Sequence, residues 1–186
     1  MKINIIYLII LQVFDFILID IFQVGFINNN LCFVPLLSFI GFQLIISDTT
    51  LEKSIIYSII FGLIQDFIMY NSLFESVFIY IIIAIICHYW SKYLNDNFFS
   101  NMVLLMVLIF IREVLVYTYR YYGSLTSISF SYFVVNRLFI IMFFNAFLVA
   151  LVILLNSFRI RLIIKDEYNK RLSEDLFGFK VNKGGN

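Results

Sequence analysis

Long apolar runs recur along the chain between short polar breaks, and each is close to the roughly 20 residues a helix needs to cross a bilayer. Six such segments are predicted, at about 3–27, 32–47, 54–70, 74–91, 101–121 and 131–156. The second and third are short, so they are expected to lie with little tilt or to end in the interface. Within the third, Ser54, Ser58, Gly62 and Asp66 recur every four residues. That spacing stacks side chains on one face of a helix. A carboxylate at mid-helix costs roughly 2.5 to 3.5 kcal/mol on insertion scales, and small residues let a neighbouring backbone come close. The stripe is therefore expected to face protein, which makes the third helix a buried packing element with a polar anchor.

Composition sharpens this pattern. Of 186 residues, 62% are hydrophobic and 13% are charged, which leaves too little polar surface to coat a water-soluble domain of this size. The expected fold class is all-α, a polytopic integral membrane protein of about six transmembrane helices, with residues 1–157 in the membrane domain and 158–186 as a basic cytoplasmic tail. The first run is too long for a cleavable signal and carries Asp15 and Asp20, so it is expected to stay in the protein. With six spans, Lys2, Lys53, Lys92 and the tail cations from Arg159 to Lys183 share one side, while Arg120 lies at the other edge. The excess of cations places both termini in the cytoplasm. Tyr89 and Trp90 closing the fourth segment, and Tyr117, Tyr119, Tyr121 and Tyr122 at the outer end of the fifth, suit the headgroup level.

In the tail, Asp166 with Lys170 and Glu167 with Arg171 are spaced for ion pairs along a helical extension. Arg159, Arg161 and Lys165 beside the membrane should attract anionic membrane lipids. The tail is either a solvated, topology-setting segment or a docking element for a cytoplasmic partner.

The predicted topology also sets the depth of the intramembrane charges. Asp20, Asp66, Arg112, Glu113 and Arg137 all fall from mid-membrane to the outer half, where they can reach one another. Gln12, Asp15, Asp20 and Gln23 form a polar flank on the first helix, within an arc of roughly 140°. Glu113, Tyr117 and Arg120 follow one face of the fifth, and Asn136, Arg137 and Asn145 lie on the sixth. Arg112 and Glu113 point about 100° apart and are expected to need partners on other helices. The simplest assembly pairs Asp66 with Arg137 or Arg112, and Glu113 with the remaining arginine. Such a network can hold helix register, mark a partner interface, or line a proton or solute path.

Enzyme signatures are missing. The chain has a single histidine, His88, and two cysteines, Cys32 and Cys87, without metal-ligand spacing and predicted near opposite faces, so neither a metal site nor a disulfide is expected. Hydrolase, zinc-protease and nucleotide-binding motifs have no counterpart. Nucleic-acid binding has no support from one basic tail. No catalytic residue and no cofactor are expected.

The run Phe61-Gly62-Leu63-Ile64-Gln65-Asp66-Phe67, followed by a short turn and an apolar helix ending in a basic loop, resembles the rod shape-determining protein MreD family. Gly62 and Asp66 match a glycine four residues before an aspartate near the end of the third span. Pro35 matches a proline opening the second span, and Asn136 an asparagine at the start of the last. The size, six-span plan and basic tail are similar over nearly the whole chain, although the turn Tyr70–Glu75 lacks the glycines usual in that family. The resemblance implies a non-enzymatic scaffold in the bacterial inner membrane. It would bind an MreC-like bitopic protein and, indirectly, MreB-like filaments and peptidoglycan synthases, and so maintain cell shape through the elongation complex. It also implies a fold similar to the substrate-binding subunits of energy-coupling-factor vitamin transporters. A transporter subunit of that kind, with an outward pocket near Asn136, Arg137 and the 122–131 loop, is the rival reading; a membrane-embedded enzyme is the third.

Overall fold

The computed structural model of the chain describes residues 2–22, 34–47, 49–69, 74–91, 93 and 97–183, and among these there is no β-strand. The helices are α1 (Lys2–Phe22), α2 (Leu37–Ile46), α3 (Leu51–Met69), α4 (Glu75–Ser91), α5 (Phe98–Tyr122), α6 (Phe130–Phe133) and α7 (Phe139–Lys183), with a π-helical turn over Val134–Leu138 joining the last two. Among the described residues, three helical stretches are long and apolar enough to cross a membrane: Ile3–Ile21, Phe98–Tyr122 and Phe130–Arg171. The predicted Gln23, Cys32, Lys92 and turn residues 70–73 lie outside the described residues.

The second segment departs most from its expected length. Instead of a span over 32–47 there is a ten-residue helix, about 15 Å long at 1.5 Å per residue and so half the hydrocarbon thickness. Pro35 sets the boundary, because it has no N–H to donate and disfavours helical backbone in the residue before it. Val34, Pro35 and Leu36 therefore run non-helically into α2. At the other end of the chain, no structural break falls at the expected membrane-to-tail boundary. The helix that begins at Phe139 runs on to Lys183, and residues 160–171, apart from the half-buried Ile163, are exposed.

Antiparallel neighbours build the bundle. On α1 and α2, Asp15 meets the amides of Leu37 and Ser38, while Leu11 and Tyr7 lie against Gly41. On α3 and α4, Asp66 meets Ser76, Gly62 faces Val77, and the rings of Phe61 and Tyr80 are 5.4 Å apart. On α5 and the α6–α7 helix, Glu113 meets Arg137 and Tyr117 stacks on Phe133 at 4.4 Å. Short as it is, α2 is the centre: every residue of it except Ile45 is buried. Phe42 stacks on Phe61 at 4.5 Å, and the Tyr80 ring meets Phe39, Phe42 and Phe61 edge-on. Aromatic pairs of this geometry add about 0.5–1.5 kcal/mol each beyond their area. By contrast α1 is mostly exposed and apolar, with Ile5, Ile6, Ile9, Val13 and Ile17 uncovered, as a lipid-facing helix would be.

The α3 stripe is buried along its whole length: Ser54, Ser58, Gly62 and Asp66 all face protein. A Cβ on Gly62 would lie 2.7 Å from the Val77 Cα and 2.9 Å from its N, so the first turn of α4 rests on the glycine. Phe74, which leads into α4, has φ 69°, a left-handed conformation that glycine adopts freely and a bulky residue does not.

Two substitutions test this hairpin by thermal unfolding in detergent. Gly62→Ala should destabilise by about 1–3 kcal/mol, because the added methyl meets backbone that cannot move aside without separating the helices. Phe74→Gly should be neutral or stabilising by up to about 1 kcal/mol, since relief of the left-handed strain exceeds the entropy cost of glycine. The opposite signs at both positions would mean that α4 does not start where the backbone places it.

Candidate functional site

Helix starts explain the buried acids. The first amides of a helix have no partner within it, and inside an apolar bundle each must find another acceptor. Leu36, at the start of α2, offers no side-chain acceptor. Asp15 of α1 supplies two: its Oδ1 accepts from the Leu37 N–H and its Oδ2 from the Ser38 N–H, both at 2.8 Å. Asn145 of α7 completes the lead-in to α2 by donating from Nδ2 to the Val34 carbonyl at 2.9 Å and to its own Ile141 carbonyl at 2.9 Å. Asp66 does for α4 what Asp15 does for α2, its Oδ1 accepting from the Ser76 N–H at 2.8 Å.

This corrects the expected pairing of Asp66 with Arg112 or Arg137. Its described partner is a helix start, and the partial positive charge there takes the place of a cation.

A second correction concerns Arg112 and Glu113. Although adjacent on α5, they form an ion pair through Nη1 and Oε1. An arginine side chain is long enough to curve around its own helix, so the 100° between neighbouring Cβ directions does not keep the groups apart. Arg137 Nε reaches the other oxygen of Glu113 at 3.3 Å. Glu113 is completely buried and thus shared by two arginines. Arg112 also lies over the Phe39 ring, 5.6 Å from its centre, which ties α5 to α2.

The π-helical turn positions Arg137. Phe133, Arg137, Ile141 and Asn145 all point into the bundle at intervals of four, a spacing that drifts by about 40° per step in a regular helix of 100° per residue. A wider turn over Val134–Leu138 takes up the drift.

Of the other predicted residues, Ser58 is completely buried and Gly62 lies beneath α4. Asn136 is half-buried and donates to the Tyr132 carbonyl of its own helix at 3.2 Å. Asp20 is exposed, so the expected polar flank of α1 divides: Asp15 goes inward, Gln12 meets Gln65 of α3, and Asp20 stays outside the buried group.

The face of α5 continues towards its C-terminal end through Tyr117, whose hydroxyl donates to the Ile128 carbonyl at 3.0 Å, to Arg120, which holds Glu75 at 2.8 and 3.3 Å. Glu75 was not among the predicted site residues; an acid in the first turn of an apolar helix was the available signal. For Asp15 the signal was Pro35, since a helix opening inside the bundle needs an acceptor from elsewhere.

The buried Tyr80 ring lies in electrostatic range of Asp15, Asp66 and Arg112, and Glu113 joins Arg112 to Arg137, so the five charges make one buried tier. Three acids face two arginines and two helix starts. Among the described residues, no three His, Cys, Asp or Glu side chains converge as metal ligands. The arrangement ties helices together.

Asp15→Ala should leave the Leu37 and Ser38 amides without an acceptor, at about 1–3 kcal/mol for each buried group. Hydrogen exchange at the start of α2 should then accelerate well beyond that of the α5 core. Unchanged protection at Leu37 and Ser38 would show that the carboxylate does not hold them.

Comparison of the chain with protein-family models, with curated proteins and with solved structures found no match.

Proposed function

We propose that this protein is an MreD-like scaffold of the bacterial inner membrane, with six helices in the bilayer and both termini in the cytoplasm, that docks a single-span MreC-like protein. Through that partner it would organise MreB-like filaments and peptidoglycan synthases during cell elongation. The observation that carries the reading is the joint role of Gly62 and Asp66, the residues on which the resemblance rests: one lets the first turn of α4 approach α3, and the other accepts its Ser76 amide. A glycine followed four residues later by an aspartate then has a mechanical meaning, a locked hairpin, rather than a catalytic one.

The rest of the tier supports the same reading. Asp15, Glu113, Arg112 and Arg137 are engaged with helix starts or with each other, as expected of a rigid body whose outer faces bind neighbours. Uncovered apolar residues lie on several helices, among them Ile9 and Val13 on α1, Phe67 on α3 and Phe143 and Phe147 on α7. Single-span helices would dock there.

Photoreactive residues placed at Ile9, Phe67 and Phe143 in the native cell should capture a bitopic MreC-like protein or a peptidoglycan synthase from at least one face. Capture of an ATPase-linked coupling subunit, or binding of a vitamin by the purified protein, would instead make it a transporter subunit.

A further inference from the structure

Helix α1 has two sides that differ in what covers them. Tyr7, Leu11 and Asp15 turn towards α2 and α7. Ile6, Ile9, Val13, Phe16 and Asp20 follow the opposite side at steps of three and four residues, within an arc of about 80° at 100° per residue, and all five are exposed. Alternating steps of three and four make a seam along which one helix packs on another. This seam ends on a carboxylate.

Asp20 is the anomaly on that side. It lies within the apolar stretch Ile3–Ile21, and in the three stretches long enough to cross a membrane it is the one charged side chain before the tail cation Arg161 that is exposed. No described cation pairs with it: Arg112 and Arg137 go to Glu113, and Arg120 goes to Glu75. In the proposed topology Lys2 marks the cytoplasmic surface, and Asp20 lies eighteen residues further along α1. That is about 27 Å, still within the roughly 30 Å of hydrocarbon. Lysine and arginine can reach water from such a depth along their stems; an aspartate, with one methylene, has no such reach. A lipid-facing charge in this position calls for a counter-charge from outside the chain.

We propose that the seam from Ile6 to Asp20 docks a single-span helix that carries an arginine or lysine at the depth of Asp20, near the outer end of its own apolar run. Its apolar residues pack on Ile6, Ile9, Val13 and Phe16, and its cation pairs with Asp20. Charge complementarity excludes a second copy of this chain related by a two-fold axis across the seam, because that copy would set Asp20 against Asp20. The uncovered Phe139, Phe143 and Phe147 on α7 form an apolar face without a charge, which gives a partner helix neither register nor depth. On α1 the ion pair supplies both, as a polar group at one seam position does in a coiled coil. The inference rests on the docking reading above and adds to it the face used and the chemistry of the partner.

The test uses the full chain in native membranes with a photoreactive residue at Val13. The probe is a co-expressed, tagged single-span helix of leucine and alanine, inserted with its N-terminus in the cytoplasm and carrying arginine, glutamine or leucine at the depth of Asp20. The arginine helix should be captured at Val13 about tenfold more than the leucine helix. Asp20→Asn should remove that preference, and Asp20→Lys should transfer it to a helix carrying glutamate. Because Asp20 is exposed and its carboxylate pairs with nothing in the described chain, both variants should unfold at the temperature of the parent protein, so lost capture cannot be ascribed to misfolding. Equal capture of the three helices would leave the seam to lipid, and an arginine preference that survives Asp20→Asn would place its counter-charge elsewhere; either overturns the proposal. Capture of the native bitopic partner from Phe143 and never from Val13 would also overturn it while leaving the scaffold reading intact. Arginine-dependent capture at Val13 in cells that yield no bitopic partner from any face would remove the scaffold reading and keep the docking chemistry.

Discussion

A helix that begins inside an apolar bundle has to find acceptors for its first amides, and the structure is arranged around that constraint. The short helix α2 feels it most, because it starts among side chains rather than at a water interface. Both oxygens of Asp15 go to the amides of Leu37 and Ser38, and Asn145 takes the Val34 carbonyl just before Pro35. Non-helical backbone at this depth is tolerable only where protein groups replace water. These bonds tie α1, α2 and α7 to one another, and the ring cluster of Phe39, Phe42, Phe61 and Tyr80 then packs α3 and α4 onto α2.

The same device recurs with variations. In each antiparallel hairpin an acid on the first helix holds the returning one: Asp15 for α2, Asp66 for α4 and Glu113 for the α6–α7 helix. The third acid takes arginines instead of amides for a physical reason. The α6–α7 helix begins in exposed surroundings, where Ser129 accepts the Tyr132 N–H of its own first turn, so that start needs nothing from α5. Glu113 is then available to the guanidiniums of Arg112 and Arg137. Removing one partner of a buried pair leaves a bare charge and costs more than the pair contributes, so such ties make a bundle rigid more than they make it stable.

Rigidity suits a protein whose proposed work is to present faces. Asp15, Asp66, Glu113, Arg112 and Arg137 turn inward and hold the helices, while much of α1 and of α7 before its charged tail is apolar and uncovered. At the tail end, the contact of Tyr7 with Arg159 brings charge and aromatic surface together where a bilayer would present its headgroups.

Much of this was legible in the sequence. Runs of apolar residues located most of the helices, although among the described residues three stretches are long and apolar enough to cross a membrane. The four-residue stripe from Ser54 to Asp66 marked a buried face on α3, since small and charged residues in lipid must seek protein. Partners were another matter. Asp66 can be satisfied equally by a guanidinium or by a helix start, and the register of α3 against α4 made the choice. Pro35 pointed to a boundary, but only the packing of α1 against α2 gave Asp15 its role. The π-helical turn that aims Arg137 has no local signature either. A chain records the faces of each helix through its own periodicity; the depth and rotation at which two helices meet, and hence which buried groups become partners, are settled only when they pack.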